Sequence, residues 1–181
     1  MQYPNVFTLG TALLLLASAG GTAAQVFEGQ GHIAVLNSTD FASATAADTI
    51  GCLNAAGGLT AAPDGCAVFR KATTAIVSAD GNCTFRDSSQ PTNSDSQYGS
   101  RSYAWHCTPD YAATVYDSFY TVKGFAHPFL CHGDIRCYYD IKDLPSSSAE
   151  ANPVWEFLWG GSQPSVPEGH VKVLWLWQPV A

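Results

Sequence analysis

Basic residues are scarce in this chain. Eight Lys and Arg stand against fifteen Asp and Glu, giving a formal net charge of −7 at pH 7. That balance leaves no basic face for phosphate backbones, which argues against nucleic acid as a partner. It argues equally against adsorption to anionic membranes. Beyond the first 24 residues no run is long and apolar enough to span a bilayer. The most apolar later stretch, residues 171–177, is interrupted by Lys172 and is too short for a lipid-anchor signal. There is no Gly-x-Ser-x-Gly, so an esterase of the α/β-hydrolase type is not expected. There is no Cys-x-x-Cys and no zinc-finger or ribbon spacing, so no metal site is expected. Long helical periodicity and internal repeats are also missing. No cofactor and no catalytic residue is assigned, and the reading favours a protein that is not an enzyme.

The N-terminus is what stands out first. Residues 7–18 form an apolar stretch with four consecutive leucines, followed by the small residues of GGTAA. This is the pattern of a secretory signal peptide over residues 1–24, cut after Ala24, although the segment carries no Lys or Arg. Residues 25–181 then make one secreted domain, expected to be a monomer. Its first residue would be Gln25 rather than His, which excludes the copper polysaccharide monooxygenases that ligate copper with an N-terminal histidine.

All six cysteines lie in that domain: Cys52, Cys66, Cys83, Cys107, Cys131 and Cys137. An even number behind a signal peptide implies disulfides. Of the possible pairings the sequential one is favoured, because each neighbouring pair brackets a segment rich in turn residues. Two glycosylation sequons, at Asn37 and Asn82, fit an extracellular chain.

The strand signals are short and many. Residues 26–36 read as a strand bent at Gly29 or Gly31. A short helix is expected near Thr45, a turn at residues 63–65, a strand over 66–77, and a hairpin turn at 80–82 returning through 83–85. Residues 86–102 have almost no apolar content and read as a long solvated loop. Further strands are expected over 103–107, 111–116, 118–122 and 135–141. In residues 171–177, Val171, Val173, Trp175 and Trp177 share one face, and Leu174 and Leu176 share the other. Apolar residues on both faces predict a central strand. The fold class is therefore mainly β: an antiparallel β-barrel or β-sandwich, stapled by disulfides, with long loops and at most a short helix.

Four constellations are candidates for chemistry. Between Cys131 and Cys137 a tight loop would display His132, Asp134 and Arg136, where His132 and Asp134 could pair as acid and base; a solvated turn with Arg136 on a carboxylate is the plainer reading. Glu168 and His170 would point the same way at strand spacing, as in the Glu–His pairs of secreted ribonucleases. Asp110, Asp117, Asp134, Asp140 and Asp143 offer carboxylates for a glycosidase pair, whose separation the sequence does not reveal. The aromatics could stack on sugar rings; Trp175 and Trp177 read as core, whereas Trp159, beside Gly160-Gly161, reads as a binding candidate.

Taken together, FEGQGHIAVL, GCLNAAG, GNCTF, SQYGSRSYAWHC, FLCHGDIRCYYD, VWEFLWGGSQ and VPEGHVKVLWLW resemble a group of small secreted cysteine-containing proteins of filamentous fungi, several of them effectors or elicitors. The resemblance implies a secreted protein that binds a host protein or cell-wall carbohydrate of a plant and modulates defence. It supplies no active site. A secreted hydrolase and a carbohydrate-binding module are the alternatives.

Overall fold

A computed structural model describes residues 26–73, 75–133, 136–145 and 151–180. The leader expected over residues 1–24 lies outside them, as does Asp134. Among the described residues twelve short strands follow one another: β1 (Gln30–Leu36), β2 (Thr49–Leu53), β3 (Leu59–Thr60), β4 (Phe69–Lys71), β5 (Ile76–Ser78), β6 (Gly81–Thr84), β7 (His106–Thr108), β8 (Phe119–Thr121), β9 (Leu130–His132), β10 (Tyr139–Ile141), β11 (Trp155–Glu156) and β12 (Val171–Pro179). Helical geometry among the described residues is confined to single 3-10 turns. No helix among them is long and apolar enough to cross a membrane.

Ten of the strands form one antiparallel sheet in the order β11-β10-β12-β1-β4-β5-β6-β7, with β2 on β1 and β3 on β2. The sheet curls into a half-barrel, and β8 and β9 form a separate hairpin. β12 runs between β1 and β10, the central position its two apolar faces require. The alternation sorts as expected. Val173, Trp175 and Trp177 join Ile33, Val35, Phe69 and Ile76 in the larger core. Leu174 and Leu176 face the other way, onto Ala34, Leu36 and Phe129. Gly31 is needed where β1 meets β12, because a Cβ there would lie 2.6 Å from Trp177 Cε2.

The three disulfides pair sequentially: Cys52–Cys66, Cys83–Cys107 and Cys131–Cys137. Cys83 and Cys107 sit directly opposite each other on β6 and β7. Cys131 and Cys137 close the chain just after β9, where His132 and Arg136 already exchange backbone hydrogen bonds of 2.8 and 3.3 Å.

Two local expectations are corrected and a third is refined. The strand expected over 66–77 is a hairpin: the N–H of Ala72 donates to the carbonyl of Ala75, and β4 and β5 pair across the turn. Residues 111–116 are not a strand. Thr114 caps a 3-10 turn at Val115–Asp117, and the Asp117 carboxylate accepts from the Thr114 backbone N–H. That capping box fixes a turn more firmly than β-propensity fixes a strand there. The same device, from Thr45 to Asp48, makes the short helical turn expected near Thr45. Finally, residues 86–102 form a loop that is exposed over most of its length, as expected, but anchored rather than free. Asn93, Ser96 and Ser102 are buried. His106 binds Asp87 at 2.6 Å, Asn93 donates to Asp140 at 2.7 Å, and the Gln97 N–H donates to Gln163 at 2.6 Å. A polar segment can be buried when its polar groups find partners, as Asn93 and Ser96 do; the Ser102 hydroxyl is enclosed without one.

Candidate functional site

The segment that leaves β11 builds one wall of a groove. Phe157, Leu158 and Trp159 follow the strand directly, and the chain then reverses between Gly160 and Gln163, which exchange backbone hydrogen bonds of 3.1 and 3.0 Å. Tyr98, from the 86–102 segment, lies across this turn with its hydroxyl 2.7 Å from Ser162 Oγ. Gly160 makes room for it: a Cβ at Gly160 would stand 2.4 Å from the Tyr98 ring. Arg136, Cys137 and Tyr138, on the approach to β10, supply the opposite wall. Pro164 completes a groove of about 610 Å³, a usual size for a small-ligand site. Trp159 is the most exposed aromatic residue here, at 68%. Trp175 and Trp177 are fully buried, as the strand pattern predicts.

Behind the groove lies a buried charge cluster. Glu156 of β11 is fixed opposite Tyr139 of β10 by register. One carboxylate oxygen meets His132 Nδ1 and the other accepts from Arg136 Nη1 at 2.6 Å. His132 is buried, with Phe85 and Phe119 packed on it at ring separations of 5.1 and 4.9 Å. Its Nε2 is enclosed and has no hydrogen-bond partner. The tight turn thus displays Arg136, which is half exposed, but turns His132 inward. An acid–base pair with Asp134 lies outside the described residues, and the carboxylate that His132 does meet is Glu156.

A second cluster joins β10, the chain before β12 and the 86–102 segment. His170 Nδ1 lies 2.7 Å from Asp140 Oδ1, and His170 Nε2 lies 3.2 Å from Asp95. Lys142 binds Asp95 at 2.7 Å. His170, Asp95 and Lys142 border a smaller cleft of about 270 Å³ with Asn152 and Trp155. Glu168 is exposed, and Gly169 between it and His170 has φ +82°, so strand alternation does not hold there. His170 therefore pairs with Asp140 and Asp95 rather than with Glu168. Of the other scattered acids, Asp117 is buried and accepts from Thr84, Tyr111 and Thr114, which makes it a structural anchor.

Burial raises the Asp140 carboxyl above the ordinary 3.8, against the pull of its hydrogen bonds from His170 and Asn93. Asp95 moves the other way, held down first by Lys142 and then by His170. A carboxyl with a raised folded pKa binds its proton more readily folded than unfolded. Its ionisation therefore weakens the fold, with no penalty below 3.8 and the full penalty above the raised value. Asp140→Asn removes that penalty. The melting temperature of the variant relative to the native protein is expected to climb as pH rises from below 3.8 through the raised value. Paired melts across that range check it, and a flat or falling difference would refute it.

Glu156, Asn93 and Asp95 are the site residues that sequence reasoning passed over. Glu156 carried a signal: a lone carboxylate inside VWEFLW is costly to bury unless paired.

No family model matches the chain, no curated protein matches it, and no solved structure matches it.

Proposed function

We propose that this is a secreted, effector-like protein that binds a cell-wall carbohydrate of a plant host through the aromatic groove. The observation that carries the reading is Trp159, a large apolar ring held in solvent by a braced turn on the rim of a groove that also contains Tyr98, Tyr138 and Phe157. A single exposed hydrophobe is ordinary; one grouped with further rings around a concave surface marks a binding site. Aromatic faces suit pyranose rings, whose C–H faces are apolar and whose edges carry hydroxyls.

Three further points support binding rather than hydrolysis. His132 has its free nitrogen enclosed. Both ring nitrogens of His170 face carboxylates. The groove lining contributes Arg136 as its one charged side chain among the described residues, without the two facing carboxylates of a glycosidase. Secretion is supported by the leader pattern and by three disulfides, which persist outside reducing compartments. Within this reading a glycan belongs on Asn37, which is exposed, rather than on Asn82, whose amide donates to the Tyr111 carbonyl at 2.8 Å.

The test is sedimentation of the purified, oxidised domain with insoluble cellulose, chitin and plant-wall polysaccharide, beside Trp159→Ala. Because Trp159 is mostly solvated, its loss should leave the melting temperature unchanged. The bound fraction should fall by the equivalent of about tenfold in affinity, the effect of one lost stacking contact. Equal binding by both proteins would remove the groove from the reading. Leaf infiltration with the same pair, scored for cell death and oxidative burst, tests the effector role: a response that needs Trp159 supports it, and no response from either protein counts against it.

A further inference from the structure

Two basic side chains stand at the groove of an acidic protein. Arg136 stands in its wall with 49% of its side chain exposed. The ammonium of Lys172 lies 4.8 Å from the centre of the Tyr138 ring and 5.2 Å from that of Phe157, two of the rings that line the groove. Two of only eight basic residues in the chain therefore meet at one small surface, against a net charge of −7.

Three carboxylates lie nearby. Asp140, directly across the strand pair from Lys172, is buried and takes hydrogen bonds from His170 and Asn93. Glu156 is buried behind Arg136 and faces it and His132 from the interior. One of the five guanidinium N–H donors goes to Glu156, and that contact fixes the direction of the planar fork. Asp40 lies near Tyr138, where it helps raise the phenol pKa, but it is fully exposed and engaged with the Ala42 N–H and the Ser43 hydroxyl. Its field is screened by solvent.

From this arrangement we infer that the groove is built for an acidic saccharide, with the carboxylate of a uronic acid on Arg136 and the sugar ring against the aromatic wall. The charge complementarity selects this occupant over a neutral glycan. A guanidinium oriented by a buried carboxylate meets a planar carboxylate without first losing its own rotamer freedom. The inference rests on the carbohydrate-binding reading above and adds the sugar class.

Titration calorimetry with tetragalacturonate and with cellotetraose, at low and at high sodium chloride, separates the two claims. The uronate is expected to bind about tenfold more tightly at low salt, with most of that preference lost at about 0.5 M. Arg136→Gln should abolish the preference. Because Arg136 also contacts Glu156, Lys172→Gln serves as a second variant; it should reduce the uronate preference, read as the ratio of the two affinities in the same variant, several-fold. If cellotetraose binds as well as the uronate at every salt concentration, the acidic-sugar inference fails and the carbohydrate reading stands. If neither oligosaccharide binds, both fail.

Discussion

Replacing Glu156 with Ala is expected to destabilise the domain by about 3 kcal/mol, at the low end of what removing one partner from a buried ion pair costs. The position within that range follows from the two partners. Arg136 is half exposed, so water can take over part of its charge when the carboxylate is gone. His132 has no such escape. It is buried between Phe85 and Phe119, its Nε2 already lacks a partner, and losing Glu156 would leave its Nδ1 unpaired too. A buried polar group without a hydrogen bond costs about 1–3 kcal/mol. For a domain of this size each kcal/mol corresponds to roughly 2–4 °C, so the melting temperature should fall by about 6–12 °C. Glu156→Gln keeps the shape and one acceptor and should cost less. A triple replacement, His132→Phe, Arg136→Met and Glu156→Leu, removes every charge at once and should recover most of the loss, since a well-packed apolar cluster often matches a buried ion pair. If Glu156→Ala melts with the native protein, the cluster holds nothing in place. If the triple variant is worse than the single one, the cluster contributes net stability beyond pairing.

These residues also show what the sequence could and could not reveal. Period-2 patterns were legible where both faces were filled: β12 was readable as a central strand because Val173 and Trp175 alternate with Leu174 and Leu176. Local disulfides were legible because turn-rich segments lie between neighbouring cysteines. The turn at Val115–Asp117 was missed for a local reason, since its Thr-x-x-Asp capping box sat inside a run that looked β-prone. The anchoring of the mostly exposed 86–102 loop escapes the sequence for a non-local one. It depends on Asp140, His106 and Gln163, which are distant in the chain and give no signal in a polar run. The groove follows the same logic. Trp159 was marked by its two glycines, but its partners Tyr98 and Arg136 reach it only through the fold, and Glu156 unites His132 with Arg136 only once β11 is in register with β10. Periodicity reports which face of a strand is inside; it does not report which strands become neighbours.

The other large effect is expected at Trp175. Its ring stacks on Tyr139 with centroids 3.7 Å apart and planes 10° from parallel. Trp105 approaches to 4.5 Å, and Phe85 and Phe119 lie near-parallel at 5.9 and 6.1 Å. The residue is fully buried on a strand held from both sides. Trp175→Ala should therefore cost about 4–5 kcal/mol, toward the top of the range for large aromatic truncations. The reason is that rigid rings on several sides cannot collapse into the space. The melting temperature should drop by roughly 10–20 °C, with loss of the near-ultraviolet circular dichroism that a fixed aromatic stack produces. Trp175→Phe supplies the contrast. The indole N–H is buried without a hydrogen-bond partner, so the smaller ring also removes an unsatisfied donor. That relief offsets part of the lost packing, and the Phe variant should cost no more than about 2 kcal/mol. Chemical denaturation of the two variants decides the point. A small loss for Ala would mean the stack repacks freely, and equal losses for Phe and Ala would mean that the indole N–H is satisfied in solution.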